Sequence, residues 1–150
     1  MMLDQPYSRL GHLIRRTYQI AQAMFIDETV TLDLTPVQYA ALNAIVKLPG
    51  IDQASLSRAI AYDKTTLVRV LDRLVDKGLI TRVRSGDDRR RHLLTATAAG
   101  RLIESAILPM VDRSQERLIA PLDDSEKLVL MALLRRLVDG YVGQADTATD

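Results

Sequence analysis

From about Ser8 to Val30, apolar positions recur three and four residues apart: Leu10, Leu13, Ile14, Thr17, Ala21, Met24 and Phe25, with Arg9, Arg16, Gln19 and Gln22 between them. That period predicts an amphipathic helix. Thr35-Pro36-Val37-Gln38 then reads as a capping box, in which the Thr35 hydroxyl accepts from the Gln38 amide and the Gln38 side chain reaches back. Pro36 falls at the first helical position, where its missing N–H costs nothing. The helix carries Tyr39, Leu42 and Ile45 inward and stops at Pro49-Gly50. A short helix follows, with Asp52 as its cap and Leu56 and Ile60 as its buried residues. Ala61-Tyr62 makes a turn, and Asp63 caps the next helix, from about Lys64 to Lys77. Leu67, Val70, Leu71 and Leu74 form its apolar stripe, and Gly78 ends it by accepting the left-handed conformation.

The period then changes. Leu79 to Arg84 is β-prone, Ser85-Gly86-Asp87-Asp88 is turn chemistry, and the β-prone pattern returns over Arg91 to Thr95. This predicts a two-stranded hairpin with a charged tip. Helical spacing resumes after Thr97, a cap, through Leu102, Ile103, Ala106, Ile107, Met110, Val111 and Leu118, with Pro109 expected to kink the helix. Pro121 interrupts. Asp123 to Glu126 offers a second capping box, and Leu130, Leu134, Leu137, Val138 and Tyr141 line a last helix. The tail from Gly143 to Asp150 is small and polar and is expected to fray.

Composition agrees with helices and removes several chemistries. The chain has 150 residues, 47% hydrophobic, but a single Phe, five Tyr and no Trp, which suits packed helices better than a β-sandwich. Without Cys there are no disulfides, thiolate nucleophiles or cysteine-zinc sites. His12 and His92 stand far apart, so a His-rich metal cluster is not expected. No apolar run approaches the roughly 18 residues of a bilayer span, and the first ten residues lack the pattern of a signal peptide. A cytoplasmic protein without a cofactor is expected. Net charge is +1, but residues 51–95 carry ten basic groups against six acidic, whereas residues 96–150 carry six against nine. A basic middle is a candidate nucleic-acid footprint, but charge alone has no geometric content and fits a solvated charged face better.

The order helix, short helix, tight turn, helix, hairpin is a winged helix-turn-helix, so the fold class is mainly α with a small β-hairpin wing. Burying Leu67, Leu71 and Leu74 leaves Thr65, Arg69, Asp72, Arg73 and Asp76 on the opposite face, with Lys64, Thr65 and Thr66 at the positive end of the helix dipole. Such a helix fits a major groove. The hairpin places Arg84, Arg89, Arg90 and Arg91 on a projecting loop, from which an arginine can enter a narrow minor groove.

These residues resemble a known family. Asp63 through Ile80 is similar to the recognition-helix motif of MarR/SlyA-type transcriptional regulators. Asp88-Arg89-Arg90, with Thr97 and Gly100 beyond, resembles that family's D-R-R and L-T-x-x-G signature, with Ala96 standing where Leu is usual. The resemblance implies base or nearby phosphate contacts for Thr65, Thr66 and Arg69, and backbone contacts for Lys64 and Arg73. It also implies a minor-groove role for Arg90, oriented by a salt bridge from Asp88. Residues 35–95 would be the DNA-binding unit, flanked by dimerisation helices in 1–34 and 96–150. Their apolar stripes need a partner, which a second copy supplies, and a two-fold homodimer would read a palindromic operator in double-stranded DNA.

Regulators of this type sense a small molecule between the dimerisation helices and the winged unit. The lack of Cys excludes thiol oxidation as the signal, and the lack of Trp weakens a likeness to urate sensors. A small organic anion, often aromatic, remains, with His12, Arg15, Arg16, Tyr18 and Tyr39 as candidate ligand-binding residues. Arg15 and Arg16 are neighbours about 100° apart on a helix, so only one can face a given pocket. The expected function is a DNA-binding repressor released by such a ligand. An enzyme lacks materials here: there is no phosphate-cradling glycine loop, metal cluster or Ser-His pairing in view. The alternative is a winged-helix module that binds protein, against which the arginine-rich wing argues.

Overall fold

The computed structural model describes residues 9–142, so the expected fraying beyond Gly143 lies outside the described residues. The element order is α1 (Leu10–Thr29), a 3-10 turn (Val30–Leu32), α2 (Pro36–Lys47), β1 (Ile51–Asp52), α3 (Gln53–Ile60), α4 (Lys64–Asp76), β2 (Ile80–Arg84), β3 (His92–Ala96), α5 (Ala98–Ile119) and α6 (Asp124–Val142). The chain forms two compact units, one up to Gln115 and one from Glu116 onward.

In the first unit, local chemistry sets the element starts. Gln38 N–H donates to Thr35 Oγ1 at 3.2 Å while Thr35 N–H donates to Gln38 Oε1 at 3.3 Å, so both halves of the α2 capping box form. Asp52 and Asp63 cap α3 and α4 by accepting from the Ser55 and Thr66 amides, each at 2.8 Å. Leu42, Ile45, Leu56, Leu67, Leu71 and Leu74 are fully buried, which binds α2, α3 and α4 into one core. Truncating any of these leucines to Ala leaves a cavity worth about 2–5 kcal/mol. Phe25 and Thr29 are the buried residues of α1, so the apolar stripe of this helix is covered near its C-terminal end and open at Leu10, Leu13 and Ile14.

The sheet differs from the predicted hairpin. Three antiparallel strands run in the order β1-β3-β2, because Ile51 and Asp52 pair with Leu94 and Leu93. Two residues are too short to show a period of two, so only the pairing with a distant strand makes them a strand. The wing register sets Ile80 opposite Ala96, Arg82 opposite Leu94 and Arg84 opposite His92.

Thr97 joins sheet to helix. Its hydroxyl donates to the Gly78 carbonyl at 2.7 Å and accepts from the Gly100 amide at 3.0 Å, and its own amide donates to the Leu79 carbonyl at 3.0 Å. A Cβ at Gly100 would lie 2.0 Å from the Leu79 carbonyl oxygen, so this approach requires glycine. The Thr-x-x-Gly spacing is therefore the seam between α4, β2 and α5. α5 is a single helix with Pro109 inside it, buried along Ile107 and Val111.

In the second unit, Asp123 caps α6. Glu126 N–H donates to Asp123 Oδ1 and Asp123 N–H donates to Glu126 Oε2, both at 2.9 Å, which is the second capping box. α6 buries none of its described side chains: Leu128, Leu133, Leu134, Leu137, Val138 and Tyr141 are all exposed.

Candidate nucleic-acid interface

Residues 61–63 set the start of α4. Ala61 takes the left-handed conformation, with φ 55°, and Ser57 Oγ donates to the Tyr62 carbonyl at 2.6 Å, which closes the turn between α3 and α4. Asp63 then begins α4. The Thr66 amide, and after it the Thr66 hydroxyl, hold the Asp63 carboxyl below the usual carboxylate range. With Leu67, Val70, Leu71 and Leu74 buried, Lys64, Thr65, Arg69, Asp72 and Arg73 all stand on exposed positions of α4. Thr66 is only half-buried, but its hydroxyl donates to Asp63 Oδ2 at 2.7 Å, so that proton is committed to the cap.

The wing is closed by its own backbone. Arg91 N–H donates to the Asp88 carbonyl at 2.9 Å, and Ser85 N–H donates to the Arg91 carbonyl at 2.8 Å. The expected Asp88–Arg90 salt bridge takes another form: Asp88 Oδ1 accepts from the Arg90 main-chain N–H at 2.9 Å. At two residues' separation in a tight loop the carboxylate reaches the amide, which shapes the loop and leaves the guanidinium outside. Arg84, Arg89 and Arg90 are exposed.

Two other arginines are paired with carboxylates, Arg82 half-buried and Arg91 still exposed. Arg91 Nη2 lies 2.5 Å from Asp52 Oδ2, joining the base of the wing to the start of α3. The Ser55 amide, and after it the Arg91 side chain, hold the Asp52 carboxyl down at about 2. Arg82 Nη1 lies 3.1 Å from Asp72 Oδ1 on α4, and its Nε and Nη2 are buried without an acceptor among the described residues. The alternation of β2 carried a signal for Arg82, since it shares a face with buried Ile80. An open groove of about 570 Å³ lies between α3 and the wing, lined among others by Asp52, Gln53, Arg58, Lys64, Arg90 and Arg91. Arg58 was not singled out from sequence, because a lone helical arginine has no local signature.

The candidate ligand residues separate. Arg15 Nη2 lies 3.4 Å from His12 Nδ1, and Tyr18 meets Gln22 one turn on. The Tyr62 hydroxyl is pushed up by burial and then by Tyr18. Arg16 instead donates to Gln19 at 3.2 Å. Tyr39 packs on Phe25 with ring centroids 5.6 Å apart, and burial followed by the Glu104 and Asp112 carboxylates pushes its hydroxyl up. Carboxylates beside Tyr39 oppose an anion there. Among the described residues no group of three His, Cys, Asp or Glu side chains could hold a metal ion, and no helix is long and apolar enough to cross a membrane.

Comparison with known proteins agrees with this architecture. The MarR family model matches residues 32–91. The transcriptional regulator HosA of Escherichia coli is 33% identical over 128 residues, covering 85% of this chain and 93% of HosA. A Bordetella bronchiseptica structure of BpsR, whose DNA binding is regulated by 6-hydroxynicotinic acid, superposes with a TM-score of 0.83 at 27% identity, covering 87% of this chain and 99% of BpsR. The repressor CouR bound to a 23-mer DNA duplex gives a TM-score of 0.84 at 26% identity, covering 92% and 98%. The chain belongs to the MarR family: it is a winged-helix transcriptional regulator and not an enzyme.

Proposed function

We propose that the protein works as a homodimer, binds a palindromic operator as a repressor, and is released by a small aromatic anion. The observation that carries the DNA reading is the single exposed face of α4, where Lys64, Thr65, Arg69 and Arg73 stand opposite a fully buried stripe, beside a wing presenting Arg84, Arg89 and Arg90. Thr65 and Arg69 would meet base edges, Lys64 and Arg73 phosphates, and Arg90 the minor groove. The complex of CouR with DNA supports this use of the fold. Dimerisation is supported by the exposed apolar faces of α1 and α6, since faces of that extent in a single chain mark an interface.

The regulation of BpsR by 6-hydroxynicotinic acid supports an aromatic acid as effector class. Arg15 is the arginine suited to hold the carboxylate. It lies three residues from Tyr18 and so shares its side of α1, whereas Arg16 is two residues away and projects about 160° from it. His12 adds a second nitrogen beside Arg15. The ligand would loosen DNA binding by favouring a spacing of the two recognition helices that the operator does not accept.

The test is a gel-shift titration against duplexes selected from a random pool, repeated across salt concentrations and with a panel of aromatic carboxylates. Binding that weakens steeply with salt, and further with one of the acids, is expected. Arg15→Ala should keep operator affinity and lose the ligand response, while Arg69→Ala should do the reverse. Failure to enrich any duplex would favour the protein-binding alternative and overturn the repressor reading.

A further inference from the structure

Arg91 lies in the most basic stretch of the chain, yet its geometry sets it apart from its neighbours. Its main chain closes the wing in both directions, as donor to Asp88 and acceptor from Ser85. Its side chain runs back to Asp52, whose two carboxylate oxygens are divided between two tasks. Oδ1 accepts from the Ser55 amide at 2.8 Å and so starts α3, while Oδ2 takes the Arg91 guanidinium at 2.5 Å. Asp52 pairs with Leu93 in the sheet, and Arg91 immediately precedes β3, so the ion pair ties the first residue before β3 to the end of β1. Thus the shortest strand, the first helix of the helix-turn-helix and the base of the wing meet at one ion pair. The carboxylate end is largely buried, with 14% of the Asp52 side chain exposed, while the Arg91 side chain remains 58% exposed, so it is the pairing and not burial that sets Arg91 apart.

We infer that Arg91 is a positioning residue, which fixes the wing to the start of α3 through Asp52, and that its charge is not directed at the DNA backbone. This rests on the operator-binding reading. A cation that contacts phosphate is held in check by a neighbouring carboxylate and gains when that carboxylate is neutralised. A positioning cation loses its anchor instead. The two roles therefore give opposite signs for Asp52→Asn, a substitution that preserves the cap because Asn serves there as well as Asp.

The experiment is a double-mutant cycle on the full-length protein, with Arg91→Ala, Asp52→Asn and both together, measured on the selected duplex over a range of salt. Each single variant should weaken binding about three- to ten-fold, and the double variant no further than the worse single, since both break one contact. The slope of log affinity against log salt should stay within about 0.3 of the parent, whereas Arg90→Ala should flatten it by about 0.9. Arg91→Lys should restore binding in the parent background but not with Asp52→Asn. Hydrogen exchange of the Ser85 and Arg91 amides in the free protein should quicken in Asp52→Asn. Tighter binding by Asp52→Asn, additive losses in the double variant, or a flattened slope for Arg91→Ala would overturn the inference. Where no duplex is enriched at all, unchanged amide exchange overturns the tether itself, and that result is separate from failure of the operator reading.

Discussion

Arginine is the residue whose meaning here depends most on its partner. Arg84, Arg89 and Arg90 are exposed on the wing, Arg91 is held by Asp52, and Arg82 is half-buried against Asp72 with two nitrogens unmatched. Unmatched buried donors carry a desolvation cost that one exposed partner does not recover. Arg82→Met keeps the stem that packs on the sheet and removes those donors. The variant should be no less stable than the parent, within about 1 kcal/mol and on the favourable side, as read from the urea midpoint at fixed protein concentration. A loss of about 3 kcal/mol would show the Arg82–Asp72 pair to be a net contributor.

At the scale of elements, three helices begin on an aspartate. Asp52, Asp63 and Asp123 cap α3, α4 and α6, and backbone amide bonds lower the carboxyl of each, that of Asp52 to about 2 from 3.8. A carboxyl lowered by folding stabilises the native state fully above its unfolded value, and that contribution fades as pH falls towards the folded value. The Asp52 contribution should therefore decline between about pH 4 and pH 2, and those of Asp63 and Asp123 as pH falls below about 4. Asp63→Asn keeps a capping side chain that does not titrate, so its urea midpoint should fall less steeply over that interval than the parent's. An equal slope would show that the α4 cap does not contribute to the acid sensitivity.

For the whole molecule, α6 is decisive because a helix with no fully buried side chain among the described residues needs a partner for its apolar face. Light scattering should return about twice 16.7 kDa. Removing residues 128–150 should abolish dimerisation and operator binding together, because a single wing and recognition helix engage only half of a palindrome. A truncated monomer that still binds DNA at parental affinity would refute the dimer as the working unit.

Local rules were sufficient for the helix starts. The capping boxes at Thr35 and Asp123, the aspartates at 52 and 63, and the left-handed Gly78 act within four residues of themselves, so the sequence determined them. The face of α4 that offers Lys64, Thr65, Arg69 and Arg73 was equally legible, since a buried stripe at helical spacing leaves one side outward. Thr97 and Gly100 could be recognised as a motif, but the reason for them, a glycine pressed on the Leu79 carbonyl, required the neighbouring segment in place. What the tertiary structure alone decided were relations across long chain separations. β1 exists because Leu93 and Leu94 lie beside it, Arg91 differs from the wing's other exposed cations because Asp52 lies 39 residues away in sequence but 2.5 Å away in space, and Arg15 and Arg16 take different partners, His12 and Gln19. A charge pattern counts such groups alike, because sequence carries their number and period, whereas ion pairing depends on distance in the folded chain.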